Sequence, residues 1–196
     1  MQLIFATHNQ NKLKELQQLM PPGIVLQSLN DLAYTDAIDE TGEDLAANAL
    51  IKARTIYQHF GKPVFADDTG LEITTLGGAP GVHSARWAGP ECDARANVQK
   101  ILKQLDGQSR RDARFRTVIA LIINDKEYLF EGSVAGHISK QPTGTEGFGY
   151  DPVFIPEGQQ LSFAQMSAEA KNRISHRGRA VNRLLEFLNS TYEPLR

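Results

Sequence analysis

A single cysteine in 196 residues, no appreciable excess of either charge and no long apolar run narrow the field before any motif is considered. Cys92 alone builds neither an internal disulfide framework nor a cysteine metal cage, and one thiol suits a reducing compartment. Its Pro-Glu-Cys-Asp setting has no basic neighbour before Arg95, which favours an inert thiol over a nucleophile. No apolar stretch approaches the roughly 20 residues that a helix needs to cross a bilayer, and the first residues lack a charged-then-apolar signal pattern. A cytoplasmic protein with no membrane partner is therefore expected. With 21 basic and 23 acidic residues the formal net charge is −2, which argues against a general nucleic-acid binder and leaves room for a small polyanionic ligand held by local clusters. Internal repeats, linkers and low-complexity tracts are also missing. One domain over 1–196, made of one body or two closely packed lobes, is the expectation.

Among what is present, Pro63-Val64-Phe65-Ala66-Asp67-Asp68-Thr69-Gly70 stands out. An apolar run reads as a buried strand, and it ends in two carboxylates, a hydroxyl and a glycine. A carboxylate buried without a partner is costly, so the pair suggests a cation, a proton to abstract, or both. Side chains alternate along a strand, so at most one of Asp67 and Asp68 faces a given pocket squarely. A solvated turn with an Asx-type cap is the competing reading.

Before this stretch, residues 2–6 form an expected strand that runs through Thr7, His8, Asn9, Gln10, Asn11 and Lys12 into a helix with Leu13, Leu16, Leu19 and Met20 on one face. A strand entering a helix through a polar turn presents unpaired N–H groups and the positive end of the helix dipole, a place for a phosphate. The glycines of a Walker loop are missing, and simple Asn/Thr capping is the alternative. Residues 24–26 form another expected strand, followed by an acidic loop from which Glu40 can turn toward Asp68. Thr41 and Asp44 resemble a capping box for a helix over 42–60, on which Asn48 and Lys52 share a face.

After it, Leu71, Ile73 and Thr75 alternate as a further strand, broken by the glycines of 76–81, with a loop over 82–90 and a helix over 93–105. Residues 115–123 make the strongest strand, expected to be central, turning through 124–127 into an antiparallel partner over 128–131. The sheet is therefore expected to be mixed, in an α/β fold. Glycines at 144, 147 and 149 let a backbone approach a ligand, and Phe148 between them is placed to lie on a base. Residues 153–155 form a last short strand. Five of the nine residues from Lys171 to Arg179 are Lys, Arg or His, and a helix start is a poor place for so much positive charge, which hints at an anionic or carbonyl-rich partner. The scattered His8, His59, His83 and His137 show no metal-ligand spacing.

Thr7-His8-Asn9-Gln10-Asn11-Lys12, Glu40-Thr41-Gly42, Asn48-Ala49 with Lys52-Ala53, Ala66-Asp67-Asp68-Thr69-Gly70, Gly77-Gly78-Ala79-Pro80-Gly81, Gly147-Phe148-Gly149-Tyr150-Asp151-Pro152 and Ser175-His176-Arg177-Gly178, in this order, resemble the inosine/xanthosine triphosphate pyrophosphatase family. The resemblance implies hydrolysis of ITP, dITP and XTP to the monophosphate and pyrophosphate, with magnesium as cofactor. It also implies a homodimer and a two-lobed mixed α/β fold with the active site in the cleft between lobes. Carried over by position, Thr7 to Lys12 would hold the triphosphate, and Glu40 and Asp68 would serve the metal, with Asp68 as general base. Lys52, Thr69, Phe148, Gly149, Tyr150, Asp151, Lys171, His176 and Arg177 would contact substrate. Asp67 would be turned away or stand behind the metal ligands. One departure is Ala47, where the family usually has glutamate before the asparagine; if that glutamate assists the metal or the water, its loss would either lower activity or shift the ligand duty to Glu40, Glu43 or Asp67.

The chemistry suits these residue types. A triphosphate carries close to four negative charges, and magnesium takes one or two protein carboxylates while bridging phosphate oxygens. Lys12, Lys52 and a helix dipole would neutralise the remainder. Hypoxanthine and xanthine offer a 6-oxo acceptor where adenine offers a donor, so donors from Arg177, His176 or the backbone would select them. The competing enzyme is a pyrophosphatase for another modified or pyrimidine triphosphate. The competing class is a nucleic-acid-binding module built on the 171–179 cluster and Phe148.

Overall fold

The computed structural model describes residues 1–191; residues 192–196 of the expected single domain lie outside the described residues. Five α-helices, three short 3-10 turns and a mixed seven-stranded sheet make up the regular structure of the described residues. The strands are β1 (Gln2–Phe5), β2 (Val25–Ser28), β3 (Val64–Ile73), β4 (Pro80–Gly81), β5 (Asp112–Ile123), β6 (Lys126–Ile138) and β7 (Phe154–Pro156). The helices are α1 (Gln10–Leu19), α2 (Leu45–Phe60), α3 (Ala94–Gln104), α4 (Ala168–Ile174) and α5 (His176–Thr191). The sheet order is β2-β1-β3-β5-β6-β7, with β4 paired to β3. β1 runs parallel to β2 and β3, whereas β4 and β7 run antiparallel to their neighbours. The chain divides into two compact units, the first made of 1–68, 117–132 and Arg177 onward, the second of 69–116 and 133–176.

In the first unit the strand alternation writes out two cores. Leu3, Phe5, Phe65, Ile119, Leu121 and Ile123 pack with Leu13 and Leu16 of α1 and with Val181, Leu184 and Leu188 of α5. The intervening residues Ile4, Ala6, Val64, Ala66, Ala120 and Ile122 pack with Ala49, Ala53 and Ile56 of α2. β1, the start of β3 and the second half of β5 are buried on both faces, which is why their sequences read as continuous apolar runs. Asn9 caps α1 by accepting N–H bonds from Asn11 and Lys12, and α2 ends at Gly61, whose left-handed φ of 61° lets its N–H reach Tyr57 O. Asn124 and Asp125, with φ of 50° and 60°, form the two-residue turn between β5 and β6, as expected of a hairpin.

The second unit packs Leu71, Ile73, Phe115, Val134, Ile138, Tyr150, Phe154 and Phe163 against Val98, Ile101 and Leu105 of α3.

Three expectations about local structure need correction. The strand through Pro63 does not end at the aspartates: β3 is continuous from Val64 to Ile73, and Thr75 falls in a 3-10 turn over Thr74–Leu76. Polar residues inside a strand mislead a hydrophobicity pattern whenever buried partners satisfy them. Asp44, not Thr41, caps α2, its side chain accepting from Ala47 N, so the helix begins at Leu45 instead of 42. Finally, the basic stretch spans two helices: Lys171 and Arg173 lie in the last turn of α4, where the dipole favours cations. No described helix is long and apolar enough to cross a membrane.

Candidate active site

Because β3 alternates, adjacent aspartates fall on opposite faces of the first unit's sheet. Asp67 continues the row of Phe65 and meets residues of α1 and α5. Its Oδ1 accepts a 2.8 Å bond from Lys12 Nζ and its Oδ2 a 3.2 Å bond from Arg177 Nε. Arg177 Nη1 also donates to Glu15, three residues after Lys12 on α1. The Asp67 side chain is 1 % exposed and that of Arg177 3 %. Burial alone would raise the Asp67 pKa, but Lys12 and Arg177 overcome it and hold the carboxyl well below the usual carboxylate range. On Lys12 burial dominates and lowers its pKa, only partly offset by Asp67.

Asp68 continues the row of Ala66 and meets α2. Lys52 Nζ lies 3.6 Å from its Oδ1 and 3.3 Å from Glu40 Oε1. Burial raises the Asp68 pKa; Lys52 and Lys12 oppose the shift, and Glu40 and Asp67 add to it. Burial works against the charged form of Lys52, yet Asp68 and Glu40 raise its pKa and keep it cationic. Three cations and four carboxylates thus converge in the first unit, and the two neighbouring aspartates differ in kind. Asp67 is locked as an anion by two direct donors, whereas Asp68 is the more basic carboxylate, suited to accept a proton.

At the end of β1, Thr7 Oγ1 accepts the Asn9 N–H and Asn9 Oδ1 accepts those of Asn11 and Lys12, so both side chains serve the turn and the cap. His8 Nδ1 lies 3.0 Å from Asn30 Oδ1, and His8, Gln10 and Asn11 are exposed. What remains for an anion there is the start of a ten-residue helix with its dipole.

The second unit holds Thr69, half-buried just past Asp68 in β3, and the glycine-rich loop. Asp151 Oδ2 accepts the Phe148 N–H at 2.8 Å and Lys171 Nζ at 2.6 Å. A Cβ at Gly147 would run into that same carboxylate, and φ is 73° there, so glycine is required. Lys171 Nζ lies 5.1 Å from the centre of the half-buried Phe148 ring. Gly149 has φ of 63° and open space where a Cβ would be. Tyr150 is buried and spends its hydroxyl on Ser84 O at 2.7 Å. His176, also buried, stacks on Phe115 with centroids 4.5 Å apart.

This ordered set of blocks is matched by a family model: the Ham1 family model fits residues 3–187. The chain belongs to the Ham1 family. Among its relatives, the dITP/XTP pyrophosphatase of Christiangramia forsetii is 50% identical over 189 residues, which cover 96% of this chain and 100% of that protein. The dITP/XTP pyrophosphatase of Porphyromonas gingivalis is 49% identical over 187 residues, 95% and 96% of the two chains. In three dimensions the Ham1 protein of Staphylococcus aureus superposes with a TM-score of 0.88 at 35% identity, covering 97% of this chain and 99% of that one.

This Ham1 chain offers a magnesium ion two hard oxygen donors, Glu40 and Asp68, on either side of one lysine. No group of three or more His, Cys, Asp or Glu able to hold a metal occurs among the described residues. Two carboxylates beside one lysine suit an ion that takes one or two protein carboxylates and fills the rest of its shell from other oxygens. Of the three candidates to replace a glutamate at 47, Glu40 stands beside Lys52, Asp67 is engaged by Lys12 and Arg177, and Glu43 is exposed. Sequence reasoning missed Glu15 and gave Asp67 no partner. The three-residue spacing of Lys12 and Glu15 on one helix was the available signal, but Arg177 is distant in sequence.

Proposed function

We propose that this protein hydrolyses dITP, ITP and XTP to the nucleoside monophosphate and pyrophosphate. The observation that carries the reading is the pair of unlike aspartates on β3, the basic one beside Lys52 and Glu40, in a chain whose close relatives are named dITP/XTP pyrophosphatases. Asp68 accepts the proton of the attacking water, and the bond broken lies between the α and β phosphates. Lys52 holds Asp68 and Glu40 in place, and Lys12, steadied by Asp67, adds positive charge beside the start of α1 for the triphosphate. Glu40 and Asp68 would hold magnesium, which when bound supplies charge neutralisation on the phosphate oxygens. In the second unit, Phe148 serves as a stacking surface, while Lys171, His176 and the loop backbone serve the 6-oxo group. Asp151 fixes both Phe148 and Lys171.

A homodimer working in the cytoplasm is part of the same proposal, supported by the family resemblance and the single cysteine. The nucleic-acid alternative loses ground because Lys171 is paired with Asp151, Arg173 with Glu169 and Arg177 with Asp67 and Glu15. The test is magnesium-dependent pyrophosphate release from dITP, ITP, XTP, GTP and ATP in parallel. Faster turnover of the three deaminated nucleotides is expected; equal rates for all five, or release of orthophosphate alone, would overturn the proposal.

A further inference from the structure

Asn48 is fully buried on α2 and half of its carboxamide is accounted for. Its Oδ1 accepts the Gly42 N–H at 2.8 Å. That bond fixes the orientation of the amide, because the flipped form would set Nδ2 against an N–H donor. Nδ2 is buried and has no hydrogen-bond partner among the described residues. A buried donor left unmatched is costly, so the protein keeps this one for something it receives.

Two further observations say where it acts. Lys52 lies one helical turn on from Asn48, on the same face of α2, and Lys52 is the residue that holds Glu40 and Asp68. Gly42 is two residues from Glu40 and lies hard against the helix start. A Cβ there would sit 2.7 Å from Ala47 Cβ, 2.7 Å from Asn48 Oδ1 and 2.8 Å from Asn48 N. The Glu40-Thr41-Gly42 segment is therefore docked on α2 through the Gly42–Asn48 hydrogen bond and one close backbone approach, beside the Glu40–Lys52 ion pair. Glycine is needed for space and not for its backbone angles.

We infer that Asn48 is a positioning residue whose Oδ1 holds Glu40 in register through Gly42, and whose Nδ2 donates to an oxygen that arrives with the metal-bound triphosphate. The inference rests on the proposed function for its second half only. The first half is a property of the chain by itself.

Amide exchange at Gly42 tests the first half without any turnover. Asn48→Ala should speed exchange of this N–H at least about tenfold, and Gly42→Ala should loosen the segment from the other side. Asn48→Asp keeps the acceptor and should keep the protection. Calorimetric binding of the α,β-imido analogue of ITP with magnesium tests the second half. Asn48→Ala and Asn48→Asp should each weaken binding about tenfold or more, and both should raise the magnesium concentration for half-maximal rate. Unchanged exchange in Asn48→Ala overturns the positioning role, and wild-type analogue binding by Asn48→Asp overturns the donor role. If the wild-type protein released no pyrophosphate from any nucleotide, the functional reading would fail while the exchange result still stood.

Discussion

Replacing Asp67 by asparagine removes one charge and almost no volume, which makes it a clean probe of the buried network. In the native protein Lys12 and Arg177 both donate to this carboxylate, and its side chain is 1 % exposed. After the change Lys12 loses the carboxylate it donates to, while Arg177 keeps its bond to Glu15. Breaking a buried ion pair by removing one partner costs about 3–5 kcal/mol. For a chain of this size each kcal/mol moves the melting temperature by about 2–4 °C, so a fall of about 6–20 °C is expected. The pH dependence fixes the cause. The folded pKa of Asp67 lies below its unfolded value of 3.8, so its stabilisation is fully present above that value and is lost as the pH falls through the folded pKa. The gap between wild type and Asp67→Asn should therefore be level from pH 7 to pH 5 and begin to close below pH 4. Circular-dichroism melts across this range measure it. A gap under about 1 kcal/mol at pH 7 would show that Asp67 does not anchor the cluster, and a gap that stayed constant to pH 3 would remove its charge as the reason.

Asp68→Asn should abolish pyrophosphate release while leaving nucleotide binding and the melting temperature near wild type; near-normal release by this variant would end its assignment as the base. Phe148→Ala should weaken binding of every nucleotide by about 1–3 kcal/mol, seen in KM for ITP and ATP alike, and a loss confined to ITP would mean that the ring does more than stack. Arg177→Ala should lower the melting temperature, because Asp67 and Glu15 each lose a donor. If Arg177 also touches the base, the ITP-to-ATP rate ratio should narrow; a steady-state comparison with an unchanged ratio leaves it the structural role alone.

What could be read in advance followed from local chemistry. Helix α1 and its cap come from Asn9 and the spacing of Leu13 and Leu16, and the β5–β6 turn comes from Asn124-Asp125. The order of the motif blocks gave the family. What could not be read is what long-range contacts decide. Nothing local to Asp67-Asp68 says that β3 runs on to Ile73, because the satisfaction of Asp67 depends on Arg177, 110 residues away. The α2 start was misplaced for a smaller reason: Thr41 and Asp44 both have capping chemistry, and only the docking of Gly42 on Asn48 decides between them.

The alternation of β3 carries a consequence for how this chain tolerates change. Its two acids are neighbours in sequence but belong to different neighbourhoods, one committed to α1 and α5 and the other to α2. A deletion or insertion of one residue just before Phe65 would exchange them, presenting Asp68 to Lys12 and Arg177 and Asp67 to Lys52, and would turn Phe65 toward α2 as well. Composition would hardly change, yet chemistry and packing would fail together. Length in this segment is thus held more tightly than the identity of its apolar residues.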